Sequence, residues 1–167
     1  QAPYSLAERD IERAELPAAR YWDMAVLPWG ILNNGVLTGK YTAGNTDPKR
    51  MDIAELDERR QHLVNVLQEV ADEVGRKPSQ VAINWVRQCP TAQVIPILGV
   101  RTLAQLEDNL AALEWELTPD QLDHLTKATG FEHGHPLNFV PRGAGPWVYG
   151  TTYERTDPHR PVSFETR

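Results

Sequence analysis

Two short apolar runs, "MAVLPW" at 24–29 and "AQVIPI" at 92–97, each end close to a glycine-bearing turn, and stretches of helical periodicity lie between and after them. A short apolar run without polar alternation reads as a strand covered on both faces. Strands of that kind interleaved with helices form parallel β/α units, because a parallel neighbour is reached only through a long crossover. A third candidate strand lies at 2–5. Three parallel strands make a poor independent sheet. The chain is therefore predicted to be part of a larger barrel or doubly wound sheet.

The helical segments carry their own punctuation. Residues 10–23 read as a short amphipathic helix with Ile11, Leu16 and Ala19 apolar among charges. Leu56, Leu63, Val66, Leu67, Val70 and Val74 form one stripe at 3.6-residue spacing, which begins near Ile53 and which Gly75 ends. Pro78 opens the next helix, whose apolar face is Val81, Ala82, Trp85 and Val86. Leu103, Leu106, Leu110 and Leu113 mark a third long helix. Thr118, Pro119 and Gln121 have capping-box spacing with the preferred proline. Beyond Gly130 periodicity is lost, yet Phe131, Phe139, Trp147, Tyr149 and Tyr153 remain. A disordered tail is poor in aromatics, so this one is expected to pack over something.

Bulk properties narrow the function. The 167 residues suit one domain with a real core, and the net charge of -6 argues against broad nucleic-acid or membrane-surface partners. Cys89 is the single cysteine, which excludes an internal disulfide framework and fits a reducing, cytoplasmic setting. It is expected as a small buried hydrophobe. No apolar run is long enough to span a bilayer. His133 and His135 lie near Glu132 without a further evident ligand, so no metal is expected. Neither common nucleotide fingerprint occurs, and no nucleophile triad can be assembled.

Chemistry is expected at the strand ends, where ligands of parallel α/β folds gather. Two glycine-bearing segments fall there: "PWGILNNGVLTGKY" at 28–41 and "ILGVRTLAQLEDN" at 97–109. Glycine lets a backbone approach a phosphate, Lys40 offers a point charge, and Arg101 offers a fork that matches two phosphate oxygens. A helix beginning near Thr102 adds its positive dipole end. Gln105 and Asn109 share a helical face and can read a base or ribose edge. The same residues also admit a plain reading: a turn at Gly99, a solvated cation at Arg101 and a wet helix face.

Five segments in order resemble the aldo-keto reductases, closest to the bacterial and potassium-channel β-subunit type. They are "QAPYSLAERDIERAELP", "PWGILNNGVLTGKY", "PSQVAINWVRQ", "VIPILGVRTLAQLEDNLAAL" and "VYGTTYERTDPHRP". The resemblance implies the carboxyl-terminal half of a (β/α)8 TIM barrel: strands six to eight with their helices, an extra helix and a closing tail. Residues 1–129 would form the half-barrel with the NADPH-binding segments, and 130–167 the substrate-loop tail. The resemblance gives Gln1 the nicotinamide carboxamide and Trp29 the nicotinamide ring. It gives Gly30, Ile31, Leu32, Thr38 and Lys40 the pyrophosphate, with Arg50 closing over it. Gly99, Arg101, Gln105, Asp108 and Asn109 would hold the adenosine end, with Arg101 meeting the 2′-phosphate.

Departures from the family pattern are Ile31 for a usual proline, Asn33 and Asn34 for glycine or small residues, and Leu98 for the proline before Gly99. The implied activity is NADPH-dependent reduction of aldehydes or ketones to alcohols. The family's catalytic Asp, Tyr, Lys and His lie on the first half of its barrel, which would make that half a partner of this one. No residue of this sequence is therefore assigned a catalytic role. Tyr4, Phe139, Trp147 and Tyr149 are candidates for an apolar substrate mouth. A non-catalytic NADPH-binding regulatory module and an inactive half-barrel fragment are the alternatives.

Overall fold

The computed structural model describes residues 1–40, 56–138 and 149–155. Strand β1 (Ala2–Pro3) pairs in parallel with β2 (Pro28–Trp29), with Ala2 opposite Pro28 and Pro3 opposite Trp29. Residues 93–97 run along the other side of β2. Val26 donates its N–H to the Gln93 carbonyl, Ile95 to Val26, and Ile97 to Pro28, at 2.8–2.9 Å. The three segments thus lie side by side in chain order and point the same way, as successive staves of a parallel barrel do.

Side chains alternate across this small sheet. Val26, Pro28 and Val94 are buried on one face. Leu27, Trp29, Ile95 and Ile97 stand on the other, 37%, 51%, 50% and 40% exposed. The apolar runs at 24–29 and 92–97 were expected to be covered on both sides. They are covered on one, where Val26 and Val94 join the core formed by apolar residues of α1, α2, α3 and α5.

Helix α1 (Glu15–Tyr21) follows a short 3-10 turn at Asp10–Glu12. The continuous helix expected over 10–23 is therefore broken. Pro17 explains the break: without an N–H it suits the first turn of a helix, and its ring would clash with a helical carbonyl at residue 13. Helix α2 (Glu58–Val74) starts at Asp57, whose carboxylate accepts from the Arg60 N–H. It stops at Gly75, which takes a left-handed φ of 64° while Arg76 donates back to the Ala71 carbonyl. Its stripe of Leu63, Val66, Leu67 and Val70 is buried, Leu56 packs on Val36 and Val64, and Ile53 lies outside the described residues. Helix α3 (Pro78–Arg87) packs against α2 with Val81, Ala82, Trp85 and Val86 in the core.

Helix α4 (Leu103–Leu110) passes into a 3-10 turn at Ala111–Glu114. Its leucines depart from expectation: Leu103, Leu106, Leu110 and Leu113 are 69%, 41%, 52% and 60% exposed. Asn109 and Ala112 are the buried positions instead. Helix α5 (Pro119–Ala128) begins with the capping box read from the sequence, Thr118 and Gln121 each accepting the other's N–H. Cys89 is half-buried at the core edge, with its sulfur 3.9 Å from the Tyr4 hydroxyl.

Candidate functional site

The two glycine-bearing turns leave neighbouring segments at the same edge. Ile97 is hydrogen-bonded to Pro28, so Trp29–Gly30 and Leu98–Gly99 emerge next to one another. Gly30 adopts φ +73°, where a side chain would be strained, and a Cβ there would meet nothing within 4 Å. Gly99 also borders open space, and its backbone is not left-handed. Trp29 lies on the open face of the sheet, and its indole is accessible. Gln1 is exposed one residue before Ala2, which by alternation sets it on the same face as Trp29.

The loop after Gly30 folds on itself. Asn33 donates to the Gly30 carbonyl, and Gly35 and Leu37 both donate to Leu32. Asn33, Asn34 and Gly35 have φ of 44°, 54° and 95°. Asparagine tolerates this region better than other non-glycine residues, which accounts for the departure noted at these positions. Ile31 is buried and Leu32 packs on the core, so only their backbones face a ligand. The Thr38 hydroxyl donates to the Gly35 carbonyl at 2.6 Å. The loop then returns to the start of α3, where a Cβ on Gly39 would lie 3.7 Å from Pro78. Among the described residues, the side chains of Lys40 and Arg101 have no ion-pair or hydrogen-bond partner. Arg50 lies outside the described residues.

On α4, the polar row that was expected to line a ligand turns toward the protein. The Gln105 side-chain oxygen accepts the Arg101 backbone N–H at 2.9 Å, and Thr102 caps the helix by accepting from the Gln105 N–H. Asp108 is held by the first turn of α3. Its Oδ1 takes Lys77 Nζ at 2.8 Å and Gln80 Nε2 at 3.0 Å, its Oδ2 takes the Ser79 hydroxyl at 3.2 Å, and its carbonyl accepts from Gln80 at 2.9 Å. Asn109 is buried. The Asp108 carboxylate is thus engaged by donors from α3. Lys77, Ser79 and Gln80 were not singled out in the sequence. Their partner lies about thirty positions away, and no local pattern signals such a pairing.

Tyr4 is not placed at a mouth beside Trp29. By alternation it points away from Trp29, into the helix-side core, where it is 3% exposed and donates to Glu12 Oε1 at 2.8 Å. It cannot line a mouth on the open face. Glu12 also accepts Arg9 through two contacts of 2.7 Å, and the Arg9 guanidinium lies 5.4 Å from the Trp85 ring centre and 4.7 Å from that of Phe131. Arg13 donates to the carbonyls of Glu132 and His133. These contacts fasten the start of the tail to the region before α1. Burial lowers the pKa of His133 despite the Glu12 carboxylate 3.7 Å away. Tyr149 is exposed, and Phe139 and Trp147 lie outside the described residues.

Two hollows, of about 390 and 290 Å³, lie among Arg9, Arg59 and Phe131 and among Tyr4, Trp85 and Leu122. Trp29, Gly30, Gly99 and Arg101 border neither and are exposed. No group of three His, Cys, Asp or Glu among the described residues is placed to hold a metal. No helix among them is long and apolar enough to cross a membrane.

The profile of the aldo/keto reductase family matches residues 1–129. An oxidoreductase of Bacillus subtilis whose activity is uncharacterised is 35% identical over 122 residues, covering 73% of this chain and 37% of its own. An aryl-alcohol dehydrogenase of Pestalotiopsis microspora is 33% identical, covering 90% of this chain and 38% of its own. Among solved structures, a glycerol dehydrogenase from Gluconobacter oxydans superposes with a TM-score of 0.64 at 27% identity, covering 75% of this chain and 40% of that one. A Saccharomyces cerevisiae relative matched over 99% of this chain is itself covered to 59%. The chain thus spans well under two thirds of the length of these relatives.

Proposed function

The chain belongs to the aldo/keto reductase family, and from that premise we propose that it is the cofactor-binding part of an NADPH-dependent reductase of aldehydes or ketones. One observation carries the reading. Two glycine turns open onto free space at adjacent strand ends, with an accessible indole at one and, at the other, an exposed guanidinium that has no partner among the described residues. A dinucleotide needs these features: a flat apolar surface for its nicotinamide, close backbone for its pyrophosphate, and fixed positive charge for its phosphates.

In this reading Gln1 takes the nicotinamide carboxamide and Trp29 the ring. The backbone of Gly30, Ile31 and Leu32, with Thr38 and Lys40, surrounds the pyrophosphate, and Arg50 closes over it. Gly99 admits the adenosine end, Arg101 forks onto the 2′-phosphate, and Gln105 borders it, while Asn109 is buried. Bound NADPH supplies the hydride. The proton must come from elsewhere, because no residue of this chain is assigned that role. An Asp, Tyr, Lys and His on a complementary half of the barrel would supply it, and that half would cover the open face of the sheet. Residues 1–129 then form the half-barrel, and 130–167 contribute to the substrate mouth. The proposed working place is the cytoplasm. An aryl-alcohol dehydrogenase, a chloroplastic pyridoxal reductase of Arabidopsis thaliana and a glycerol dehydrogenase among the similar proteins support a carbonyl or alcohol substrate.

The test is binding of NADPH and NADH to the complete polypeptide and its Arg101→Ala variant, followed by protein fluorescence. NADPH affinity should fall about ten- to a hundredfold, as expected on losing a charge-assisted contact, with little change for NADH. Equal weakening of both would sink the 2′-phosphate assignment.

A further inference from the structure

The first turn of α3 touches both segments proposed to hold the cofactor. Gly39, at the end of the 30–40 loop, abuts Pro78. On the other side, Lys77, Ser79 and Gln80 converge on Asp108 of α4. One turn before Asp108, Gln105 holds the backbone N–H of Arg101. Asp108 and Gln105 lie one turn apart on α4, so this helix links the α3 N-terminus to the backbone that carries the exposed guanidinium.

We propose that Asp108 is a positioning residue: it docks α4 on the first turn of α3 and so fixes where Arg101 presents its charge, a role that rests on the cofactor reading above. The chemistry of the dock supports this. The Asp108 side chain is only 19% exposed, and its carboxylate faces three donors and the positive end of a ten-residue helix. A carboxylate satisfied in this way is a poor partner for a nucleobase, since a base would have to displace Gln80 or Ser79. Gln80 is 5% exposed, and its side-chain nitrogen is committed to both the carbonyl and the carboxylate of Asp108, so it reports on the dock without facing a ligand. Arg101 itself immediately precedes Thr102, the cap of α4, and its N–H is held by Gln105, so a tilt of α4 would displace its backbone. Preference for a 2′-phosphate would then depend on two helices staying docked as well as on the arginine.

Affinities for NADPH and NADH should be measured on the complete polypeptide for Arg101→Ala, Asp108→Ala, Asp108→Asn, Gln80→Ala and the Arg101→Ala/Gln80→Ala pair. Amide exchange at Arg101 and Gln105 should be followed in the same proteins without cofactor. Asp108→Ala and Gln80→Ala should each lower the NADPH-to-NADH preference about tenfold and speed exchange at Arg101. Asp108→Asn, which keeps a carbonyl oxygen for Gln80, should recover most of the preference. Adding Gln80→Ala to Arg101→Ala should cost no further selectivity.

Loss of preference with Asp108→Ala but not with Gln80→Ala would mean direct contact and would overturn the positioning role. Unchanged preference in both, while Arg101→Ala abolishes it, would overturn the inference and leave the cofactor reading standing. Indifference of Arg101→Ala to the choice of cofactor would overturn the cofactor reading itself, and the positioning role with it. Should Asp108→Ala fail to fold, Gln80→Ala decides alone.

Discussion

Tyr4 donates from its phenol to Glu12 and packs its ring 5.3 Å from that of Trp85. Burial, then the negative charges that Cys89 and Glu12 can carry, hold its pKa well above the ordinary value. A tyrosine that delivers protons at neutral pH needs the opposite shift, so Tyr4 belongs to the scaffold. The shift has a definite sign for stability. The unfolded chain releases this proton first, near the ordinary value of about 10. Above that pH the native state binds more protons than the unfolded one, and stability falls as pH rises. Tyr4→Phe should flatten this alkaline limb in urea unfolding followed between about pH 8 and about pH 10.5, and cost about 1 kcal/mol at neutral pH for the lost hydrogen bond. Parallel curves for variant and wild type would refute the assignment.

At the scale of elements, helix ends follow local rules. Thr118 and Gln121 satisfy each other's backbone N–H groups, and Gln121 also donates to Glu73 of α2 at 2.8 Å. Thr118→Ala should therefore lower stability by about 1 kcal/mol, seen as a lower denaturant midpoint at unchanged slope. An unchanged midpoint would show that the cap is redundant with the α2 contact. Such signals need only a few neighbouring residues, and for this reason the end of α2 at Gly75, the start of α3 at Pro78 and the capping box of α5 were legible in the sequence.

The orientation of α4 was not legible. Its leucines at positions 103, 106, 110 and 113 and its polar row at 105, 108 and 109 form two faces, and spacing alone assigns the apolar one to the core. The choice between faces is made by α3, whose Lys77, Ser79 and Gln80 form a polar socket for Asp108. Likewise, the apolar runs at 24–29 and 92–97 announced strands, but the cover they implied on both faces is present on one only. The glycine turns and Arg101 were legible because their chemistry is local. The division of Gln105 and Asp108 between ligand and scaffold was not, because it depends on partners elsewhere in the chain.

At the scale of the molecule, the apolar surface left open is continuous in kind and one-sided in place. Leu27, Trp29, Ile95 and Ile97 line the exposed face of the sheet, and among the described residues no strand pairs with the outer side of β1 or of the 93–97 segment. The leucine row of α4 adds a second uncovered surface at seam-like spacing of three and four residues. Scattered apolar residues on a monomer need no explanation, whereas grouped ones mark a contact surface. Open parallel edges beside such a surface favour association. Produced alone, the 167-residue chain should therefore self-associate at micromolar concentration and bind an apolar dye. Leu106→Glu with Leu110→Glu, which lie outside the proposed cofactor contacts, should reduce both effects by severalfold. Sedimentation velocity across a concentration series would measure the first effect and dye fluorescence the second. A monodisperse monomer that binds no dye would mean that these faces are stable in water, and the case for a complementary half-barrel covering them would fail.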